Sequence, residues 1–122
     1  MQRLSFLFLG LLLASSGCAD ESLALSIPKE ERHLLERNGD SNVLRMRAGT
    51  SAVVWASITH PEIEGSTTIE VHELVADDSA IVSVVRIPPD RWELRAAGIG
   101  ETVLRAKNDG DERASVPIKV LP

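Results

Sequence analysis

The chain has 122 residues with 13 lysines and arginines against 18 aspartates and glutamates, a net charge of −5, and a single cysteine. An acidic chain whose ten arginines are scattered has no clustered cations for nucleic-acid phosphates, and one cysteine cannot build a disulfide scaffold. There is no tyrosine, and beyond residue 17 no phenylalanine, so a core must come from Val, Ile, Leu and Ala around Trp55 and Trp92.

The N-terminus reads "MQRLSFLFLGLLLASSGC": one cation, Arg3, then an apolar run from Leu4 to Ala14, then the small residues Ser15, Ser16 and Gly17. That order is a secretory signal, and the run is too short for a transmembrane helix, which needs about 20 apolar residues. Ser16, Gly17 and Cys18 resemble the lipobox of bacterial lipoproteins, with Ser15 where that family usually carries Leu. The resemblance implies a signal peptide over 1–17 and a diacylglyceryl thioether on Cys18, which explains a lone cysteine in an exported chain. One acyl chain binds a membrane only marginally, so the two or three such proteins carry make attachment lasting. Ala19, rather than Asp, in second place after the anchor points to the outer membrane.

Removing residues 1–17 leaves 105, enough for one domain. Residues 18–40 are polar and poorly periodic and read as a lipidated tether. Within it, "IPKEERHLLERNG" has Pro28 and two glutamates at the front and Gly39 as a stop, the pattern of a short helix, and "SLALSI" is a possible edge strand.

From residue 41 to 122, apolar runs alternate with Gly, Pro, Asn and Asp clusters, at the spacing of an all-β sandwich. Seven strands are expected: Val43–Ala48, Ser51–Ile58, Thr67–Val75, Ala80–Ile87, Trp92–Ala97, Glu101–Lys107 and Arg113–Leu121. Period-two alternation turns Trp92, Leu94 and Ala96 inward, with Thr102, Leu104, Ala106, Val116, Ile118 and Val120, and it pairs Ile69 with Val71. In "SAVVWASI" both faces are apolar, which marks a central or doubly covered strand. Pro117 has no N–H to give a ladder and belongs at an edge or with that position turned outward. "NDGD" at 108–111 is a tight hairpin signal, "PPD" at 88–90 a proline turn, and Gly98 and Gly100 frame another turn.

The stretch "DDSAIVSVVRIPPDRWELRAAGIGETVLRAKNDGDERASVPIKV", with "RMRAGTSAVVWASI" upstream, resembles bacterial immunoglobulin-like domains of the group 2 type. It lacks that family's usual tryptophan followed by serines before the acidic turn, and the N-terminal domains of pilus-type secretins show a similar pattern, so both families stay open. The resemblance implies an immunoglobulin-like antiparallel sandwich of about seven strands, used in adhesins and envelope assemblies and normally without catalysis.

Three histidines, His33, His60 and His72, invite a metal reading. Zinc needs three or four converging ligands, and His72 with Glu70 supplies one outward pair. If strands alternate in direction, one end of the sandwich gathers His60, Glu62, Glu64, Asp90, Asn108, Asp109 and Asp111, an oxygen-rich set of the kind calcium uses. "NDGDE" lacks the ordered ligand spacing of a calcium loop. No nucleophile elbow, phosphate loop or HExxH helix is present.

The expected role is therefore a non-catalytic, lipid-anchored envelope protein that contacts an envelope or surface protein. A carbohydrate or peptidoglycan binder, with Trp55 as its stacking residue, and an accessory lipoprotein of a pilus or secretion apparatus are the alternatives.

Overall fold

In the computed structural model, which describes residues 21–37, 42–62 and 65–122, alternating apolar side chains from two sheets close on one core. The strands are β1 (Ser22–Ser26), β2 (Glu36–Arg37), β3 (Leu44–Arg47), β4 (Ser51–Glu62), β5 (Gly65–Glu70), β6 (Glu73–Ala76), β7 (Val82–Ile87), β8 (Arg91–Ala96), β9 (Gly100–Asn108) and β10 (Asp111–Leu121). The first sheet has the order β1-β4-β8-β7, with β5 also paired to β4; the second has the order β2-β3-β10-β9-β6. This is an all-β sandwich of two five-stranded sheets. Every pairing is antiparallel except β10 with β3, where Ile118 to Leu121 run parallel to Leu44 to Arg47.

The alternation read from sequence fills the core. Val54, Ile58, Val82, Leu94, Leu104, Ile118 and Val120 are its largest fully buried side chains. Trp92 is 6% exposed, and Ala96, Thr102, Ala106 and Val116 are buried beside it. Fully burying one side chain of this size contributes about 1.5–3 kcal/mol, so the core outweighs any single surface contact. β4 is central, with β1 on one side and β8 then β5 on the other. Pro117 lies one residue before the pairing with β3 begins at Ile118, where β10 is paired to β9 alone.

Two readings change. The strand expected over Thr67–Val75 is broken at Val71 and His72: β5 belongs to the first sheet and β6 to the second. Asn108, 6% exposed, holds the crossover, accepting from the His72 N–H at 2.9 Å and donating to the Glu70 carbonyl at 3.0 Å. Those two backbone groups leave a ladder at the switch, and a buried amide offers one acceptor and one donor in the right places.

The second change concerns the segment read as a tether, although its expected edge strand in "SLALSI" does form, as β1 at the edge of the first sheet. Between residues 22 and 37 the chain contributes to both sheets: β1 pairs with β4 from Ser22↔Thr59 to Ser26↔Trp55, and β2 pairs with β3. Leu23 and Leu25 alternate inward opposite Ile58 and Ala56, and Leu35 is buried in the core. The helix is a 3₁₀ helix, Lys29–Leu34, begun by a Glu31 N–H to Pro28 carbonyl bond of 2.9 Å. A single apolar edge was too little to hold an α-helix, whereas Leu23 and Leu25 at period two fit a strand.

The β9–β10 hairpin forms as expected. Asp109 (φ 56°) and Gly110 (φ 84°) both take positive φ, the requirement of a tight primed turn. At the opposite end Gly98 packs against the 78–81 turn, where a Cβ would lie 2.6 Å from the Ala80 carbonyl oxygen. No helix among the described residues is long and apolar enough to cross a membrane.

Candidate functional site: the outer face of the first sheet

Outward-facing positions of an antiparallel sheet are normally polar. On the first sheet Val53, Trp55, Val85 and Ile87 break that rule. The register places Ser26, Trp55, Arg91 and Ile87 in one row across β1, β4, β8 and β7, and Val53, Glu93 and Val85 in the next. Trp55 is 41% exposed and Val85 38%, while Val53 and Ile87 are half-buried. A third row, Ser51, Arg95 and Ser83, closes the patch with polar groups.

The charges inside this patch are ordered. Arg95 donates to Glu93 from Nε at 2.9 Å, and its terminal nitrogen lies 2.8 Å from the same oxygen. Arg91 stands over the Trp55 indole, 5.8 Å from the ring centre, where the negative ring face attracts the cation. Outside the patch, in the alternate row that holds Val54 and the core residue Trp92, Arg86 stands 5.5 Å from the Trp92 ring centre and donates to the Pro89 carbonyl. The result is an aromatic–guanidinium pair on the sheet surface with Val53, Val85 and Ile87 near it and polar residues beyond.

Sequence reasoning named Trp55 and left its direction open, because "SAVVWASI" is apolar on both faces. Arg91 and Val85 were not singled out: Val85 breaks the polar-outward rule on β7, whereas Arg91 obeys it and carries no sequence signal until the register sets it opposite Trp55.

The expected cation cluster is distributed differently. His60 Nδ1 lies 2.9 Å from Glu21, a residue the sequence reading passed over. Asp109 is at 4.0 Å from the His72 ring, and Asn108 is committed to the backbone of the β5–β6 crossover. Asp90 sits in the β7–β8 turn, beside Arg91, whose opposite number Trp55 lies five residues short of His60 along β4. Glu64 and the side chain of Glu62 fall outside the described residues, as does Cys18. Among the described residues no three His, Asp or Glu side chains converge on a point where a metal would sit.

Glu21 is held on two sides. Its carboxylate, 8% exposed, accepts from Arg113 Nε at 2.9 Å and from a terminal nitrogen at 2.6 Å, besides the His60 contact. The Arg113 hydrogen bond, with His60 adding to it, holds the Glu21 carboxyl below the ordinary carboxylate value although burial pushes the other way. On the outer face of the second sheet Arg105 grips Asp77 at 2.7 and 2.8 Å and Glu112 at 2.9 Å. Its guanidinium is raised by both carboxylates, and Asp77 is lowered by the same bond.

A surface groove among the described residues runs between Leu25, Ile27, Leu35 and Leu44, rimmed by Arg32, Glu36 and Arg37. Comparison with models of known protein families finds no match, and comparison with curated proteins finds none either.

Proposed function

We propose that this chain is a lipid-anchored protein of the bacterial cell envelope, placed at the outer membrane, whose immunoglobulin-like sandwich holds another envelope or surface protein and performs no catalysis. The observation that carries the reading is the exposed Trp55–Arg91 pair, set near Val53, Val85 and Ile87 on the outer face of the first sheet. Protein contact sites concentrate their binding energy in a few central Trp, Tyr and Arg residues surrounded by groups that exclude water. The run of small residues ending at Cys18 supports the anchor, and a module that stays on a membrane and offers a face sideways is suited to holding.

The same exposed indole favours a glycan-binding reading, since sugars stack on flat aromatic faces. Arg91 over the ring competes for that surface, which weighs toward a protein partner. An accessory role in a pilus or secretion apparatus is one form of the same holding function.

The test places a photo-crosslinking residue at Val85, or at Ser115 on the outer face of the second sheet, in the full chain in its own envelope. A discrete adduct from position 85 that disappears with Trp55→Ala, with none from position 115, is the expected result. Equal adducts from both faces contradict it. A shift of Trp55 fluorescence on titration with peptidoglycan fragments moves the reading to glycan.

A further inference from the structure

Glu21 is bonded to residues of both sheets at once. Arg113 lies on β10 and His60 on β4, and the next residue, Ser22, opens the β1–β4 ladder opposite Thr59. The chain is therefore fixed to the sandwich from residue 21 onward. Cys18 is three residues earlier, and an extended chain spans at most about 3.6 Å per residue, so its backbone can stray only on the order of 11 Å from that of Glu21, and its sulfur only a side chain's length further. A lipid carried there has no leash on which the domain could turn over.

The end to which Glu21 belongs is well defined. It includes His60 near the end of β4 and the Asp109–Gly110 turn between β9 and β10. The other end carries the turn at Gly49, Ile99 between β8 and β9, and Pro122; Gly49 N–H bonds the Ala96 carbonyl there, and Ala48 N–H bonds Leu121. Between Asp111 and Val120, which faces Gly100, nine strand residues at about 3.3 Å each separate the two ends by about 30 Å.

Resting on the proposed lipid anchor at Cys18, we infer that the end of the sandwich built by Glu21, His60, Arg113 and the Asp109–Gly110 turn is the surface that faces the bilayer, with the Ile99 and Pro122 end distal. The carboxylates of Asp109 and Asp111 would repel anionic headgroups, so the short covalent link and the Glu21 clamp, rather than surface charge, hold this end down. Trp55, five residues before His60 on β4 and so about 17 Å further from the membrane, then looks along the bilayer toward a neighbour on the same surface.

The test uses the full chain purified with its lipid and reconstituted into vesicles of phosphatidylethanolamine and phosphatidylglycerol that contain a nitroxide-headgroup lipid. A fluorophore is attached through Asp111→Cys or Ile99→Cys, both exposed positions. Quenching several-fold stronger at 111 than at 99 is expected, and a flexible Gly–Ser spacer inserted between Cys18 and Glu21 is expected to erase the difference. Equal or reversed quenching in an acylated chain overturns the orientation and leaves the anchor standing, as does a gradient that survives the spacer. An unmodified Cys18 in the intact mass of the same sample overturns the anchor and the orientation together.

Discussion

Glu21 and Arg113 stand 92 residues apart in the chain and meet in two hydrogen bonds, 2.9 and 2.6 Å long, that tie the first described residue to the last strand. Bonds of this kind close the fold by joining the residue before β1 to β10. The carboxylate is nearly buried while the Arg113 side chain is half-exposed, so removing the charge costs mainly the charge-assisted hydrogen bonds.

Glu21→Gln is expected to lower stability by about 2 kcal/mol, the usual worth of hydrogen bonds to a charged group, measured by urea unfolding at neutral pH. The pH dependence follows from the lowered carboxyl. A group whose value falls on folding contributes its stability above its unfolded value and loses it as pH falls through the folded one. The stability gap between the unaltered chain and Glu21→Gln is therefore constant above the ordinary value of 4.5 and closes as pH falls below it. A gap that widens in acid contradicts the clamp.

Asn108 serves the crossover with both halves of its amide. Asn108→Ala leaves the part-buried His72 N–H and Glu70 C=O without their side-chain partner and is expected to cost about 1–3 kcal/mol. Asn108→Asp keeps the acceptor for His72 but sets an oxygen against the Glu70 carbonyl, so it does not rescue the loss. Amide hydrogen exchange at His72 reads the effect directly: its protection falls in both variants before global unfolding.

The two tryptophans separate surface from core. Trp92→Ala is expected to cost about 3–5 kcal/mol, the range for a large core truncation. Trp55→Ala removes mainly a cation–π contact worth about 0.5–1 kcal/mol at an exposed site. Iodide quenches Trp55 emission and spares Trp92. Thermal melts of the two variants should differ several-fold in their shift, and similar shifts would place Trp55 in the core.

Gly98→Ala tests the distal end. The added carbon would sit 2.6 Å from a backbone oxygen of Ala80, which cannot rotate aside like a side chain. Overpacking of this sort costs about 1–3 kcal/mol. A thermal melt indistinguishable from that of the unaltered chain would show that the 78–81 turn yields freely.

Much of the sandwich was legible because alternation is a local property. Trp92, Leu94 and Ala96, then Thr102, Leu104 and Ala106, then Val116, Ile118 and Val120 all point inward as their period requires. Asp109 and Gly110 take the backbone that their residue types allow at a tight turn. What escaped was set by distant partners. Ile69 and Val71 continue an unbroken alternation, and only Asn108, 36 residues beyond His72, shows where the strand changes sheets. Glu21 is one carboxylate in a polar stretch until Arg113 arrives beside it. Trp55 could face either way, since its strand is apolar on both sides and the difference lies in whether a second layer covers it.

The most direct measurement is the intact mass of the native chain extracted from its membrane. The account predicts a polypeptide that begins at Cys18, lacks residues 1–17, and carries the added mass of a diacylglyceryl group with or without a further acyl chain. A chain retaining residues 1–17, or one beginning elsewhere with a free Cys18 thiol, contradicts it.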